Sequence, residues 1–312
     1  MRRSRWRARA THPRPCPAEE RTVVAGSKAP SIDRPTLDYF EFRGPHRVAG
    51  GRLETAGMPG LVFAPASGRD LPVVALAHGW LQPVHRYADT LRFLASWGIV
   101  AVAPDTQRGP VPAPAELAQD LRTAVDLVAS ARLAGGRLRV DAARYGVLGH
   151  SMGGGAAVLA AASDFDVAAV MTVTASAGQP SAVSAAARVR VPGLHVVGGD
   201  DEMAEGDGAS IAAAWAGPCQ LRTVKGAGHL SLAEGKHWTS TFSGSSPQTK
   251  LQRAVRSLAA AFFLRHLRAQ DQLDDDLKGK IKRTALEDLA QVRHELDRGK
   301  GPSAAVELRK QA

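Results

Sequence analysis

Short, continuously apolar runs alternate along this chain with longer stretches of helical period. Leu71–Ala77 (LPVVALA), Ile99–Ala103, Tyr145–Leu148, Val167–Val173 and Leu194–Val197 are apolar at nearly every position. Runs of this kind predict strands buried on both faces, as in a parallel sheet. Gly60–Ala64 predicts a further short strand, Gln220–Val224 the last one, and the aromatic-rich Asp38–Arg43 (Tyr39, Phe40, Phe42) an edge strand. Helices are predicted over Tyr87–Trp97, over Ala115–Leu133 with Leu117, Leu121, Val125 and Val128 on one face, over the Ala-rich Met152–Ala162, and over Leu251–Leu267. Strands alternating with helices imply an α/β fold, a mostly parallel sheet with helices on both faces. Few residues separate the elements, so no large lid is expected.

The pattern divides the chain in three. Residues 1–36 mix Arg, Pro and Ser without periodicity and are expected to be a disordered basic tail. Residues 37–268 form the α/β domain. Residues 269–312 are a charged, helix-prone extension with an apolar face at Leu286, Leu289 and Leu296, through which the chain could self-associate. The formal net charge of +10 raises the question of nucleic acid, but seven arginines against Glu19 and Glu20 in the first 21 residues supply about half of it. No nucleic-acid partner is expected. No stretch reaches the ~18 apolar residues of a membrane span, and the basic start has no apolar core of a signal peptide. With only Cys16 and Cys219, no disulfide framework is indicated, and a cytoplasmic location is expected.

Candidate chemistry lies first in Gly149-His150-Ser151-Met152-Gly153-Gly154-Gly155. G-x-S-x-G alone is weak, but here it follows a predicted strand and opens a predicted helix. That is the setting of a nucleophile elbow, where glycines permit the sharp turn and the next N–H sits at a helix start. Serine needs a base, and on such a fold acid and histidine follow it in order, each after a later strand. The acidic loop Asp200-Asp201-Glu202 follows Leu194–Val197, and Gly226-Ala227-Gly228-His229 follows Gln220–Val224. Spacing leaves the choice among the three acids open. His237 competes as base but lacks the strand-then-glycine lead-in; His195 is expected in the core and His78 to support its loop. Ala77-His78-Gly79-Trp80 occupies the place of the second oxyanion donor, offering the Trp80 N–H beside that of Met152.

These stretches resemble the dienelactone-hydrolase-like branch of the α/β-hydrolases, in particular cutinase-like polyester hydrolases (PETase-like) and chlorophyllase-like esterases. The resemblance runs from about Asp38 to Leu267. It rests on HGW at 78–80, LASWGIVAVAPDT at 94–106, VDAARYGVLGHSMGGGAAVLAA at 140–161, VPGLHVVGGDDEMA at 191–204 and GAGHLSL at 226–232. It implies a serine carboxylic ester hydrolase with Ser151 as nucleophile, His229 as base, Asp201 as acid and the Met152 and Trp80 N–H groups as oxyanion hole. Trp80, His150 and Ala175 are expected to line the substrate pocket. No metal or cofactor is implied. Thr174-Ala175-Ser176-Ala177 stands where the polyester hydrolases usually carry an aromatic residue, and the cysteines lie far from the C-terminus, where many relatives have a disulfide. Short-chain or small esters are therefore the expected substrates, with polyesters suggested by the resemblance alone. An acyltransferase or thioesterase on the same scaffold, or a non-catalytic binding module, are the rival readings.

Overall fold

Strands β1 (Val48–Arg52), β2 (Gly60–Pro65), β3 (Gly68–Ala77), β4 (Val100–Pro104), β5 (Leu138–His150), β6 (Val167–Val173), β7 (Gly193–Gly198), β8 (Cys219–Val224) and β9 (Thr284–Leu286) form one sheet in a computed structural model of the protein. It describes residues 37–131, 133–204, 206–231, 233–234 and 248–298, which all lie in one compact unit, Asp33–Ala312. The spatial order is β1-β2-β4-β3-β5-β6-β7-β8-β9. From β4 through β8 every pairing is parallel, while β1, β2 and β9 add antiparallel edges. The order reverses around β3, leaving a crevice at the carboxyl ends of the central strands, where open α/β sheets bind ligands.

The central strands are apolar at consecutive positions because both faces are covered. Val74, Leu76, Leu148 and Met171 pack toward helices α1 (Ala88–Ser96) and α6 (Thr249–Leu267), meeting Leu91, Leu94, Leu258 and Phe263. Val73, Ala75, Ala77, Val147 and Val170 pack toward α2 (Pro114–Ser130) and α3 (Met152–Ser163), meeting Leu117, Leu121, Val125 and Ala156. Short helices α4 (Ala182–Ala186) and α5 (Asp207–Ala214) follow β6 and β7. No helix among the described residues is long and apolar enough to cross a membrane.

Two expectations are corrected. The aromatic segment near residue 40 is a 3-10 helix, Leu37–Glu41, not an edge strand. Phe40 is fully buried and meets the Trp97 ring at 4.4 Å, and its carbonyl accepts from Ser257 Oγ on α6. Phe40 marks burial there while Phe42 is exposed, and the edge itself is taken by β1. β8 is not the last strand. Residues 271–297 continue as a short 3-10 turn, α7 (Asp274–Lys278), β9 and α8 (Leu289–Asp297), with β9 paired to β8. The buried Arg222 of β8 secures this addition, donating to the Leu277 and Gly279 carbonyls at 2.5 and 2.9 Å and to Thr284 Oγ1 at 3.1 Å. Val292 of α8 is buried against Ala209 and Ala212 of α5 and Leu221 of β8, with Leu289 and Leu296 partly buried beside it, while Leu286 stays exposed. The expected basic tail, residues 1–36, lies outside the described residues.

His195 of β7 is fully buried, edge-on to Trp215, with Nδ1 at 2.8 Å from Thr172 Oγ1. Burial pushes its pKa from 6.5 down to about 3. Between those values the unfolded chain binds a proton that the folded chain does not, so stability falls as pH drops below about 6.5. One such proton is worth about 1.4 kcal/mol per pH unit. In urea unfolding at pH 6 and pH 4.5, His195→Met should lose about 2 kcal/mol less between the two than the wild type. An unchanged pH slope would refute this role for His195.

Candidate active site

Ser151 stands between β5 and α3 with φ 56° and ψ −124°, a strained backbone for a residue with a side chain. The glycines around it are forced by contact rather than by flexibility. A Cβ on Gly149 would lie 2.0 Å from the Gly153 carbonyl O, one on Gly153 2.2 Å from the Ala77 carbonyl O, and one on Gly154 2.6 Å from the Ala175 Cβ. The elbow thus presses α3 against the end of β3. Its serine is partly exposed at the carboxyl ends of the strands.

Ser151 Oγ lies 2.7 Å from His229 Nε2, and His229 Nδ1 lies 3.0 Å from both Asp201 carboxylate oxygens. A carboxylate only accepts, so Nδ1 carries the proton and Nε2 is free to accept that of the serine. Asp201 and His229 side chains are each 5 % exposed, whereas Asp200 and Glu202 face solvent. Burial alone would raise the Asp201 pKa. The His229 hydrogen bond and charge, with the Ala204 and Met203 N–H groups, outweigh it and hold the carboxyl below its ordinary value. The Asp201 carboxyl is therefore ionised at neutral pH. His237 lies outside the described residues.

The loop 77–80 closes over the serine. A Cβ on Gly79 would lie 3.3 Å from Ser151 Cβ. His78 is fully buried, its Nδ1 and Nε2 each 2.8 Å from a backbone carbonyl, those of Gly79 and Thr106, and so it braces the loop. Among the described residues, neither the Trp80 nor the Met152 backbone N–H has an acceptor, and Met152 opens α3. The Trp80 indole is 43 % exposed and donates to the Pro110 carbonyl at 3.1 Å.

Two pocket assignments are corrected. His150 is buried, with both ring nitrogens engaged, and Ala175 is fully buried against Gly154; neither presents a surface to a substrate. Period and spacing carried no mark of these contacts, which join distant loops. Several supporting residues were missed for the same reason. Thr174 Oγ1 donates to the His229 carbonyl at 3.3 Å, and Ser231 Oγ accepts from the Gly228 N–H at 2.9 Å. Beyond His229, the Glu234 carboxylate accepts from the Asp89 and Thr90 N–H groups at the start of α1 and pairs with Arg256 at 2.8 Å. Only Ser231, two residues after His229, left a local trace in sequence, as a serine placed to close a turn. Among the described residues no cluster of His, Cys, Asp and Glu could hold a metal ion.

This strand order, with a strained serine after the central β5 and an acid and histidine on loops after β7 and β8, is the α/β-hydrolase fold. Within that fold the chain belongs to the PET hydrolase-like family, whose model (PETase: PET hydrolase-like) matches residues 33–254. It is similar to Cutinase est1 of Thermobifida alba, 30% identical over 145 residues that cover 45% of this chain and 49% of that protein. It is similar also to Cutinase 2 of Thermobifida cellulosilytica, 29% identical over 45% of this chain and 55% of that one. Cutinase cut1 of Thermobifida fusca is 29% identical, with 45% of each chain covered. The chain spans about half the length of the curated relatives it matches.

The crowding at Gly153 gives a direct test. Gly153→Ala would drive a methyl into the Ala77 carbonyl, and should destabilise the fold by about 1–3 kcal/mol in urea unfolding, despite alanine's better helix propensity. A neutral or stabilising effect would contradict the close approach of α3 to β3.

Proposed function

We propose that this chain is a serine carboxylic ester hydrolase working through an acyl-enzyme. The observation that carries the reading is the unbroken row Ser151 Oγ, His229, Asp201, at 2.7 and 3.0 Å, on the elbow of this fold. His229 Nε2 takes the proton as Ser151 Oγ attacks the ester carbonyl carbon. The oxygen becomes an oxyanion between the Met152 and Trp80 N–H groups, which lack acceptors among the described residues and so are free to donate to it. Collapse expels the alcohol with the proton from His229, leaving Ser151 acylated. Water, losing its proton to His229, then attacks the acyl carbon and releases the acid. Asp201 stays ionised throughout and fixes the imidazole tautomer.

Small, short-chain esters are the substrates we infer. The stretch after β6 contributes no aromatic side chain for stacking an aromatic polymer unit, a contact worth roughly 0.5–1.5 kcal/mol beyond area burial. The half-exposed Trp80 indole beside the serine is the aromatic surface on offer to a bound acyl or alcohol group. The relatives' names, cutinases, point toward polyesters, which we take as the secondary substrate class. A reducing, cytoplasmic setting fits Cys219, a free thiol.

Ser151→Ala should keep the fold and lower turnover of p-nitrophenyl butyrate roughly 10⁴–10⁶-fold; near wild-type turnover in a clean preparation would refute the mechanism. Across acetyl, butyryl, octanoyl and palmitoyl esters of p-nitrophenol, kcat/KM should peak at acetyl or butyryl. A maximum at octanoyl or longer, or rapid erosion of an aromatic polyester film, would contradict the substrate assignment.

A further inference from the structure

The hydrogen bonds around Ser151 continue beyond the three residues of the proposed reaction. The Gly79 N–H donates to Tyr87 Oη at 3.0 Å, Tyr87 Oη lies 2.8 Å from His150 Nδ1, and His150 Nε2 lies 2.9 Å from the His229 carbonyl O. Tyr87 and His150 are each 4 % exposed. A carbonyl only accepts, so His150 Nε2 carries the proton. Burial, reinforced by the charge of His229, pushes the His150 pKa down to about 3, so the ring is neutral and Nδ1 has only a lone pair. The Tyr87 O–H must donate to that lone pair, while its own oxygen takes the Gly79 N–H. All three bonds thus run in one sense, from the loop 77–80 to the loop 226–231. Reversing any one would leave two buried donors, or two buried acceptors, face to face.

The two ends of this row are the two parts that the chemistry needs in register. The Gly79 carbonyl and the Trp80 N–H share one planar trans peptide and point in opposite directions. That carbonyl accepts from the Gln82 N–H at 3.0 Å and meets His78 Nδ1 at 2.8 Å. With its N–H held by Tyr87 and its carbonyl held on the other side, Gly79 aims the Trp80 N–H. At the far end, the His229 carbonyl is gripped by His150 and Thr174 together.

We propose that Tyr87 and His150 form a buried strut that sets the oxyanion donor of Trp80 against the base His229, making both of them positioning residues for acyl transfer. This rests on the ester-hydrolase reading. Neither side chain touches substrate or a reacting atom, so their removal should be felt in kcat and not in KM.

The test uses the full chain with p-nitrophenyl butyrate. Tyr87→Phe keeps the ring but breaks two bonds of the row, and should lower kcat about tenfold to a hundredfold with KM within about twofold. His150→Phe should do the same. His150→Gln, whose amide can accept from Tyr87 and donate to the His229 carbonyl, should recover most of the loss. The double variant Tyr87→Phe/His150→Phe should be no slower than the worse single one, because the residues act as one unit. Amide hydrogen exchange without substrate supplies a second readout: in Tyr87→Phe, residues 77–82 and 226–231 should both exchange faster. If Tyr87→Phe fails to fold, His150→Gln against His150→Phe decides by the same readouts. A change confined to KM, an additive double variant, or loosening of 77–82 alone would overturn the strut. Wild-type protein without ester turnover, yet with both segments loosened by Tyr87→Phe, would sink the hydrolase reading and leave the strut standing.

Discussion

The backbone of Ser151 is held at φ 56° and ψ −124°, a conformation that costs roughly 1–3 kcal/mol and lasts only where its surroundings over-determine it. Its N–H donates to the Val173 carbonyl at 3.0 Å, and its own carbonyl accepts from Gly154 and Ser176 at 2.8 and 3.0 Å. Those partners fix the elbow against β6 and the first turn of α3. The same turn demands glycine at 149, 153 and 154, because the chain approaches itself too closely for a Cβ. Everything else at the site is placed with respect to this point: the loop 77–80 at the end of β3, Asp201 after β7 and His229 after β8.

His229, the proposed base, is the part that depends most on remote elements. Its loop is tied to α1 and α6 through Glu234 and Arg256, and to β6 through Thr174. The strand that delivers it, β8, is not a free edge, because β9 covers it and Arg222 fastens the chain around it. Residues 271–297 therefore belong to the support of the site, although they contribute no reacting group. A partly exposed serine beside a buried imidazole and a buried, ionised carboxylate is the arrangement acyl transfer requires: access for the substrate and a shielded field for the proton.

The hydrophobic pattern carried most of this architecture. Runs apolar at nearly every position became β3 through β7, because a parallel strand is buried on both faces and has no polar side to show. The elbow, the acidic loop and the glycine-histidine loop were legible because each is a local sequence with a local backbone demand. The choice of Asp201 over its neighbours came from the family resemblance and not from spacing, since three adjacent carboxyls differ only in which one turns inward. Aromatic content misled at Phe40, where it signals an anchor in the core and not a strand. The extension misled in the other sense: β9 has only three residues, too few for a period, and the charges of residues 274–288 hide a strand fixed by a buried arginine of another element. The link through Tyr87 and His150 gave no trace, for Tyr87 lies 63 residues from His150 and His150 lies 79 from His229.

The central claim is that Ser151 is a nucleophile activated by His229 and Asp201, and covalent trapping tests it most directly. Wild-type protein would be treated with a fluorophosphonate, with labelling followed by intact mass and by peptide mapping, alongside Asp201→Asn and Asp200→Asn. The account predicts a single adduct on Ser151, formed far more slowly in Asp201→Asn and at close to the wild-type rate in Asp200→Asn. An adduct on another residue, no adduct, or equal rates in all three proteins would contradict it.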